Sequence, residues 1–234
     1  MARKLTLTRS NDPHQNCPIE FSGAPLKDAH LVVLAAHGRY GVSGDILKLA
    51  SQVNVPNVAW IAPQAAGRSW WGETFLAPLE KNEPGLSSAL RRFSAIMDDL
   101  AQQGFGPEKT VLTGFSQGAC LILEHAARHP KPWRGIVAMS GGLLGTSQSD
   151  EGPRKALNGH VPKQFDYDSC LKGAAIHLGC HKDDPVIPIA RVHKSKTVLE
   201  NIGANVTLCE VQGRMHGIIS DDIAAIRNML EQPT

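Results

Sequence analysis

The feature that most constrains this chain is a serine between two glycines, placed where a predicted strand meets a predicted helix. The apolar residues 111–113 lead into Gly114-Phe115-Ser116-Gln117-Gly118, and a helical pattern over 119–127 follows before Pro130. A serine hydroxyl is a poor nucleophile unless a tight turn presents it, and side chains at the glycine positions would collide with the neighbouring strand and helix. The pattern predicts that Ser116 is a nucleophile; a plain glycine-rich turn is the alternative.

Length and composition narrow the class of protein. The chain has 234 residues, of which 20% are charged, and a formal net charge of only +2. This length predicts a single α/β domain over 1–234. The sequence contains no prominent basic run, so its composition gives no support for nucleic acid or an anionic membrane as the partner. A transmembrane helix would need about eighteen successive apolar residues, and the sequence contains no such stretch. The basic N-terminal segment also lacks the apolar run of a secretory signal.

The cysteines indicate a reducing compartment. Five cysteines is an odd number, and no Cys-x-x-Cys pair occurs among them. Cys120, Cys180 and Cys209 lie within or beside apolar segments, where a buried thiol behaves as a small hydrophobic group. We therefore expect a soluble, cytoplasmic protein.

Apolar runs alternate with helical patterns along the chain, which predicts a mainly parallel, twisted sheet with helices on both faces. The predicted strands cover residues 30–36, 57–62, 110–113, 135–140, 174–179 and 205–211. Within residues 1–29, short segments at 4–8 and 18–22 are expected to form an antiparallel start to the sheet. The predicted helices cover residues 45–52, 86–103, 117–129, 188–202 and 221–231. Residues 63–85 and 141–168 are expected to be irregular, and the second stretch is a candidate mobile loop.

A catalytic serine needs a base, and such groups collect at the carboxyl ends of strands in open α/β sheets. His216 follows the last predicted strand in a loop that leads into the final helix, so it is the preferred base. Histidines in less suitable positions are His14, His125, His129, His160 and His193. Of these, the two on the helix after Ser116 are expected at the surface or in its last turn.

The base needs a third group that holds its tautomer, and two adjacent aspartates follow the strand predicted at 174–179. Asp183 and Asp184 could both serve, but Asp184 precedes a proline that biases its backbone towards an extended form. The order Ser116, Asp184, His216 is the one expected of an α/β-hydrolase. Helix capping by the aspartates and structural hydrogen bonding by the histidine are the alternatives.

Acyl transfer also needs donors for an oxyanion. The backbone N–H of Gln117, at the start of a predicted helix, is one candidate. A second is the N–H of Arg39 in the loop after the strand at 31–36, where Gly38 lets the backbone come close. A simple glycine turn is the alternative for this loop. His37 is expected to shape the loop rather than to act as a second base.

Four apolar side chains follow the strand predicted at 57–62 and could line a substrate cleft. They are Trp70, Trp71, Phe75 and Leu76. Packing in the core or in a lid is an equally good explanation of these residues.

Taken together, these motifs resemble the phospholipase/carboxylesterase branch of the α/β-hydrolases, which includes acyl-protein thioesterases and small bacterial carboxylesterases. The resemblance covers about residues 31–230. Its residues are His37-Gly38, Pro63-Gln64-Ala65-Ala66, Ser69-Trp70-Trp71, Gly114-Phe115-Ser116-Gln117-Gly118, Ser140-Gly141-Gly142, Asp184-Pro185-Val186-Ile187-Pro188 and Met215-His216. It implies an α/β-hydrolase fold without a large cap domain and a Ser116, Asp184 and His216 triad. It also implies oxyanion donors at Arg39 and Gln117, no metal or cofactor, and hydrolysis of carboxylic esters or thioesters.

The chain departs from this pattern in two places. Many members carry His-Gly four and three residues before the triad aspartate, where this chain has Cys180-His181. Arg39 replaces a residue that is commonly apolar. Its cationic side chain, near the oxyanion loop, either favours an acidic substrate or points to solvent.

The predicted function is that of a serine carboxylesterase acting on a small-molecule ester. An acyl thioesterase or lysophospholipase with the same triad is the alternative, and the sequence leaves a homodimer open. A non-catalytic binding protein with this fold is a more remote alternative, because a binder does not need an activated serine.

A metal-dependent hydrolase is a further alternative. The side chains available to it are Cys180, His181, Asp183, Asp184 and His216. Adjacent ligands on one short loop match tetrahedral spacing poorly, and the glycine-flanked serine would then be unexplained.

Overall fold

The computed structural model describes residues 12–147, 163–168 and 170–232. Strands in this part of the chain are β1 (Ile19–Gly23), β2 (Leu31–Ala36), β3 (Val58–Pro63), β4 (Thr110–Phe115), β5 (Gly135–Met139), β6 (Thr146–Ser147), β7 (Lys163–Gln164), β8 (Ala175–His181) and β9 (Asn205–Val211). The α-helices are α1 (Ser43–Leu47), α2 (Leu49–Val53), α3 (Gly85–Gln102), α4 (Gln117–Arg128), α5 (Ile189–Asn201) and α6 (Ser220–Glu231).

Seven strands form one sheet in the order β1-β3-β2-β4-β5-β8-β9. β1 runs antiparallel to β3, and all the other neighbours in this sheet are parallel. The mainly parallel sheet is therefore confirmed, together with the antiparallel strand predicted at 18–22. The other predicted N-terminal strand, 4–8, lies outside the described residues. Because the parallel strands share one direction, their carboxyl ends meet at one edge of the sheet.

Both faces of the sheet are covered. Val32 of β2 belongs to a core cluster that also contains Phe93 of α3 and Leu121 of α4. The next residue, Val33, belongs to a second cluster with Ile226 of α6. Successive side chains of a strand point to opposite faces, so a strand buried throughout has helices on both sides. This confirms the predicted layers.

The differences from the predicted elements are local. The helix predicted at 45–52 is divided into α1 and α2, although Lys48 between them keeps helical angles of φ −58° and ψ −22°. β8 continues to His181 because it pairs with β9 in one unbroken register that ends opposite Val211. The stretch 63–85 contains two short 3₁₀ helices. In the described part of 141–168, β6 and β7 form an antiparallel pair.

None of the described helices combines the length and hydropathy that a membrane-spanning segment needs. The described elements form no large cap domain over the carboxyl ends of the strands.

A buried hydrogen-bonded pair anchors the start of α6 to β8. Asp222 Oδ1 lies 2.9 Å from His177 Nε2, and Asp222 Oδ2 accepts the backbone N–H of Ile219 at 3.0 Å. The Asp222 side chain is fully buried, and that of His177 nearly so. Since α6 follows the loop that carries His216, this pair fixes one end of that loop.

Replacing Asp222 with alanine is expected to lower the free energy of unfolding by about 2–3 kcal/mol. The substitution leaves a buried ring nitrogen of His177 without its partner and removes the bond to the Ile219 amide. Chemical denaturation measures the change. Asp221→Ala is the matched control, because Asp221 is exposed and lies in the same helical turn. Equal destabilisation by the two variants would show that negative charge at the helix start, not the buried pair, carries the effect.

Candidate active site

β4 runs into α4 with only Ser116 between them. The backbone of Ser116 has φ 55° and ψ −118°, a conformation that residues with side chains rarely adopt. The flanking glycines make the turn possible. A Cβ on Gly118 would lie 2.1 Å from the carbonyl oxygen of Ala36, and one on Gly114 would lie 2.5 Å from the backbone of Gly118. The structure therefore contains the predicted turn from strand through serine to helix.

Ser116, His216 and Asp184 form a continuous chain of hydrogen bonds. Ser116 Oγ lies 2.8 Å from His216 Nε2, and His216 Nδ1 lies 2.8 Å from Asp184 Oδ2. A carboxylate only accepts hydrogen bonds, so the Nδ1 proton donates to Asp184 and Nε2 accepts the serine hydroxyl. The three residues follow the carboxyl ends of β4, β9 and β8, as the order of the motifs predicts.

The structure distinguishes the two adjacent aspartates. Asp184 Oδ1 accepts the backbone N–H groups of Val186 at 2.8 Å and Ile187 at 3.0 Å, which leaves Oδ2 directed to His216. Burial by itself would raise the pKa of the Asp184 carboxyl. The hydrogen bonds from His216 and from the two amides outweigh burial, so the pKa is lowered and the group is ionised at neutral pH. The side chain of Asp183 is exposed.

Two residues that support His216 were not singled out from the sequence. The ring of Phe115 packs against the imidazole, with 4.9 Å between ring centroids and 33° between planes. Ser140 Oγ donates to the carbonyl of Gly217 at 3.0 Å and so holds the loop next to His216. Both belong to motifs noted in the sequence, Gly-Phe-Ser-Gln-Gly and Ser-Gly-Gly. Their positions at the ends of predicted strands were the sequence signal that could have indicated a supporting role.

The loop after β2 lies against the turn at Ser116. A Cβ on Gly38 would be 3.3 Å from Ser116 Cβ. At the start of α4, the N–H of Cys120 donates to the carbonyl of Ser116 at 3.0 Å, so the amide of Gln117 precedes the hydrogen-bonded part of the helix. The two predicted oxyanion donors, Arg39 and Gln117, thus belong to segments that adjoin the serine.

The side chain of Arg39 is partly exposed, but its guanidinium is bound to backbone carbonyls instead of being surrounded by solvent alone. Its guanidinium donates to the carbonyls of Trp71, Gly72 and Glu73, three consecutive residues of another loop.

His37 has the contacts of a residue that shapes a loop. Its Nδ1 lies 2.7 Å from the carbonyl of Gly38, and its Nε2 accepts the N–H of Ala65 at 3.1 Å. These two bonds join the loop after β2 to the segment after β3 and engage both ring nitrogens.

The sequence placed His125 either at the surface or in the last turn of its helix. The structure has it in the last turn of α4, where it is buried. The reason is that α3 covers this side of α4, where Ser94 Oγ lies 3.0 Å from His125 Nε2. Burial, with smaller contributions from the nearby His129 and Lys131, lowers the pKa of His125 to about 3, so the ring is neutral. His129 is exposed.

A cavity of about 330 Å³ opens beside Ser116. Its apolar wall includes Trp71, Phe75 and Ile187, which are buried, and Val186, which is half-exposed. Two of the four predicted cleft residues, Trp71 and Phe75, therefore line this space.

The other two predicted cleft residues pack in the core, which corrects their assignment. Trp70 is fully buried; its indole N–H donates to the carbonyl of His37 at 2.8 Å, and its ring meets Phe93 edge-on. Leu76 is buried in the same cluster. Consecutive residues of an irregular segment can face opposite ways, so the sequence could not separate Trp70 from Trp71.

A larger cavity of about 780 Å³ lies at the opposite edge of the sheet, near the first residues of β2 and β3. Its lining includes Leu31, Val58 and Arg134 but none of the three hydrogen-bonded residues described above. Ligands of parallel sheets bind at the carboxyl ends of the strands, so the smaller cavity is the better candidate.

The side chains considered for a metal site do not come together as a ligand set. In residues 12–147, 163–168 and 170–232, no three His, Cys, Asp or Glu side chains form a group that could hold a metal ion. Cys180 Sγ lies 3.9 Å from Asp184 Oδ2, and burial together with this carboxylate raises the thiol pKa to about 12. Cys120 and Cys180 are buried as predicted, whereas Cys209 is only partly buried because it lies on the edge strand β9.

Comparison with known proteins agrees with this architecture. The profile of the family described as Phospholipase/Carboxylesterase matches residues 20–233. Among solved structures, the phospholipase/carboxylesterase of Dyadobacter fermentans DSM 18053 is 32% identical, with a TM-score of 0.80 over 93% of this chain and 98% of that chain. Esterase PE8 is 25% identical, with a TM-score of 0.68 over 92% of this chain and 96% of that chain. SOBER1 of Arabidopsis thaliana, 20% identical, shares the fold with a TM-score of 0.67 over 87% of this chain and 98% of that chain.

The profile match spans most of the chain, and the first of these structures exceeds 30% identity over nearly all of it. Relatives described as esterases support a hydrolase that acts on esters. This chain belongs to the phospholipase/carboxylesterase family and has the α/β-hydrolase fold.

Proposed function

We propose that this protein is a carboxylesterase that cleaves small-molecule esters through an acyl-enzyme on Ser116. His216 is the general base, and Asp184 orients it. One observation carries the proposal: the unbroken chain of two hydrogen bonds, each 2.8 Å long, that joins carboxylate, imidazole and hydroxyl. Groups in this order activate a serine for attack on a carbonyl carbon. A protein that only binds ligands has no need of a carboxylate, an imidazole and a hydroxyl linked in this order.

In the acylation step, Ser116 Oγ attacks the ester carbonyl carbon while His216 Nε2 takes the hydroxyl proton. Asp184 accepts the hydrogen bond from Nδ1 and stabilises the imidazolium that forms. The carbonyl oxygen becomes an oxyanion, and the backbone N–H groups of Gln117 and Arg39 are the proposed donors to it. Donors fixed in advance stabilise this charge without reorganising during the reaction.

Collapse of the tetrahedral intermediate breaks the bond to the alcohol oxygen, which receives the proton from His216 Nε2 and leaves. Water then enters, His216 removes one of its protons, and the resulting nucleophile attacks the acyl-enzyme. The second intermediate releases the carboxylic acid, and the proton returns to Ser116 Oγ. The proposed cycle uses only side chains, backbone amides and water.

The cavity beside Ser116 supports an apolar group on the substrate, because Trp71, Phe75 and Ile187 form the apolar part of its wall. A thioester or a lysophospholipid would react through the same steps, so these remain alternatives within the proposal. All five cysteines are described and unpaired, which supports the proposed cytoplasmic location.

Ser116→Ala is expected to lower kcat/KM for p-nitrophenyl acyl esters by about 10⁴-fold or more, because the nucleophile is lost. Rates for matched acyl thioesters, measured in the same panel, separate the two substrate classes. Labelling by a fluorophosphonate should be absent in Ser116→Ala and much slower in His216→Ala. Hydrolysis that persists in Ser116→Ala and stops on addition of a chelator would instead indicate a metal-dependent reaction.

Asp184→Asn is expected to lower kcat by about 10⁴-fold, the loss seen when the equivalent group of a serine protease triad is replaced. An amide at this position can present a donor to Nδ1 and so favour the wrong tautomer of His216. Asp183→Asn is the matched control, with an exposed side chain on the adjacent residue and an expected rate close to that of the unmodified protein. Similar losses in both variants would reject Asp184 as the specific partner of His216.

A further inference from the structure

The carbonyl oxygen of Trp71 receives hydrogen bonds from three segments of the chain. Gln117 Nε2 donates to it at 3.0 Å, Arg39 Nη2 at 3.2 Å and Ser69 Oγ at 2.6 Å. Two of these donors belong to the residues whose backbone amides are the proposed oxyanion donors. We refer to this oxygen as the shared acceptor.

Each of the two side chains makes further bonds to the same loop. Arg39 Nη1 donates to the carbonyl of Gly72 at 2.7 Å, and Nη2 also donates to that of Glu73. Gln117 Oε1 accepts the backbone N–H of Trp70 at 2.9 Å. The planar fork of an arginine suits several acceptors at once, and an amide side chain can pair with a backbone in both directions.

These contacts connect two segments that follow different strands, β2 and β4. Arg39 is in the loop after β2, and Gln117 is the first residue of α4. The distance between their backbone amides decides whether both can reach one oxyanion. Donors to an oxyanion act at about 2.7–3.1 Å, and a displacement of about 1 Å in a catalytic group can cost about 10²-fold in rate.

We propose that the side chains of Arg39 and Gln117 are positioning residues that set the separation of their own backbone amides through the shared acceptor. This inference rests on the proposed esterase function. It also gives the guanidinium of Arg39 a role, because three backbone carbonyls accept hydrogen bonds from it. The side chain of Trp71 lines the cavity, and its carbonyl oxygen accepts the hydrogen bonds from Arg39 and Gln117. Trp71 therefore contributes both to the substrate cavity and to the positions of the oxyanion donors.

A competing role for Arg39 is recognition of an acidic substrate, and the two roles differ in the kinetic parameter that they affect. Poor positioning of an oxyanion donor lowers kcat for neutral esters and leaves KM nearly unchanged. Loss of a charge that binds substrate raises KM for anionic esters only.

The test compares Arg39→Leu, Gln117→Met and the double variant with the unmodified protein. The substrates are a neutral p-nitrophenyl acyl ester and the p-nitrophenyl monoester of a dicarboxylic acid. Each single variant is expected to lower kcat for the neutral ester by about 10- to 100-fold, with KM changed by less than about threefold. The rate of fluorophosphonate labelling should fall in parallel. Arg214→Leu is the matched control, because Arg214 is an exposed arginine in the loop that carries His216.

The double variant tests the shared acceptor itself. If both side chains act through one carbonyl, the double variant should lose less than the product of the two single losses. A fully multiplicative loss would overturn the shared acceptor. An unchanged kcat in both single variants, or a rise in KM confined to the anionic ester in Arg39→Leu, would also overturn the inference.

The unmodified protein and Ser116→Ala keep this test separate from that of the proposed function. If the unmodified protein hydrolyses neither ester and is not labelled, the esterase proposal itself fails. If it is active and Ser116→Ala is not, the variants at Arg39 and Gln117 decide the positioning inference alone. Thermal unfolding of each variant identifies any that does not fold, and the remaining single variant then decides the question by its kcat.

Discussion

The backbone conformation of Ser116 is the constraint on which the rest of the site depends. A residue with φ near 55° between a strand and a helix turns the chain sharply and leaves its side chain at the carboxyl end of the sheet. The turn is compatible with the packing only because Gly118 brings α4 against the carbonyl of Ala36. The same close approach places the loop after β2 beside Ser116. One local conformation thus brings together the candidate nucleophile and the candidate oxyanion donors.

Near this turn, the buried Asp184 carboxylate is stabilised by hydrogen bonds from the backbone. The Asp184 carboxylate is buried, and an isolated buried charge would be strongly unfavourable. Two amides and the imidazole N–H supply the hydrogen bonds that the carboxylate would otherwise make with water. Phe115 packs against the imidazole ring of His216. The geometry of the three groups therefore follows from contacts outside the three residues themselves.

Much of this could be predicted from the sequence, because the signals are local. Gly-Phe-Ser-Gln-Gly between an apolar run and a helical pattern specifies the turn at Ser116, and alternation of strands and helices specifies a parallel sheet. The order of motifs then places Asp184 and His216 at the same edge. Element ends were less predictable: β8 reaches His181 only because its partner β9 continues beside it. The buried position of His125 depends on α3, a segment remote in sequence.

The sequence by itself determined which chemical groups meet at the carboxyl edge, since residue type, chain order and strand direction are all readable from it. Only the tertiary structure showed how Asp184, which the sequence favoured over Asp183, is directed to His216, and only it decided which of two adjacent tryptophans lines the cavity and where the guanidinium of Arg39 is bound. The physical reason is the same in each case. Neighbouring residues in irregular segments differ in direction rather than in type, and direction is set by hydrogen bonds and packing between segments that are far apart along the chain.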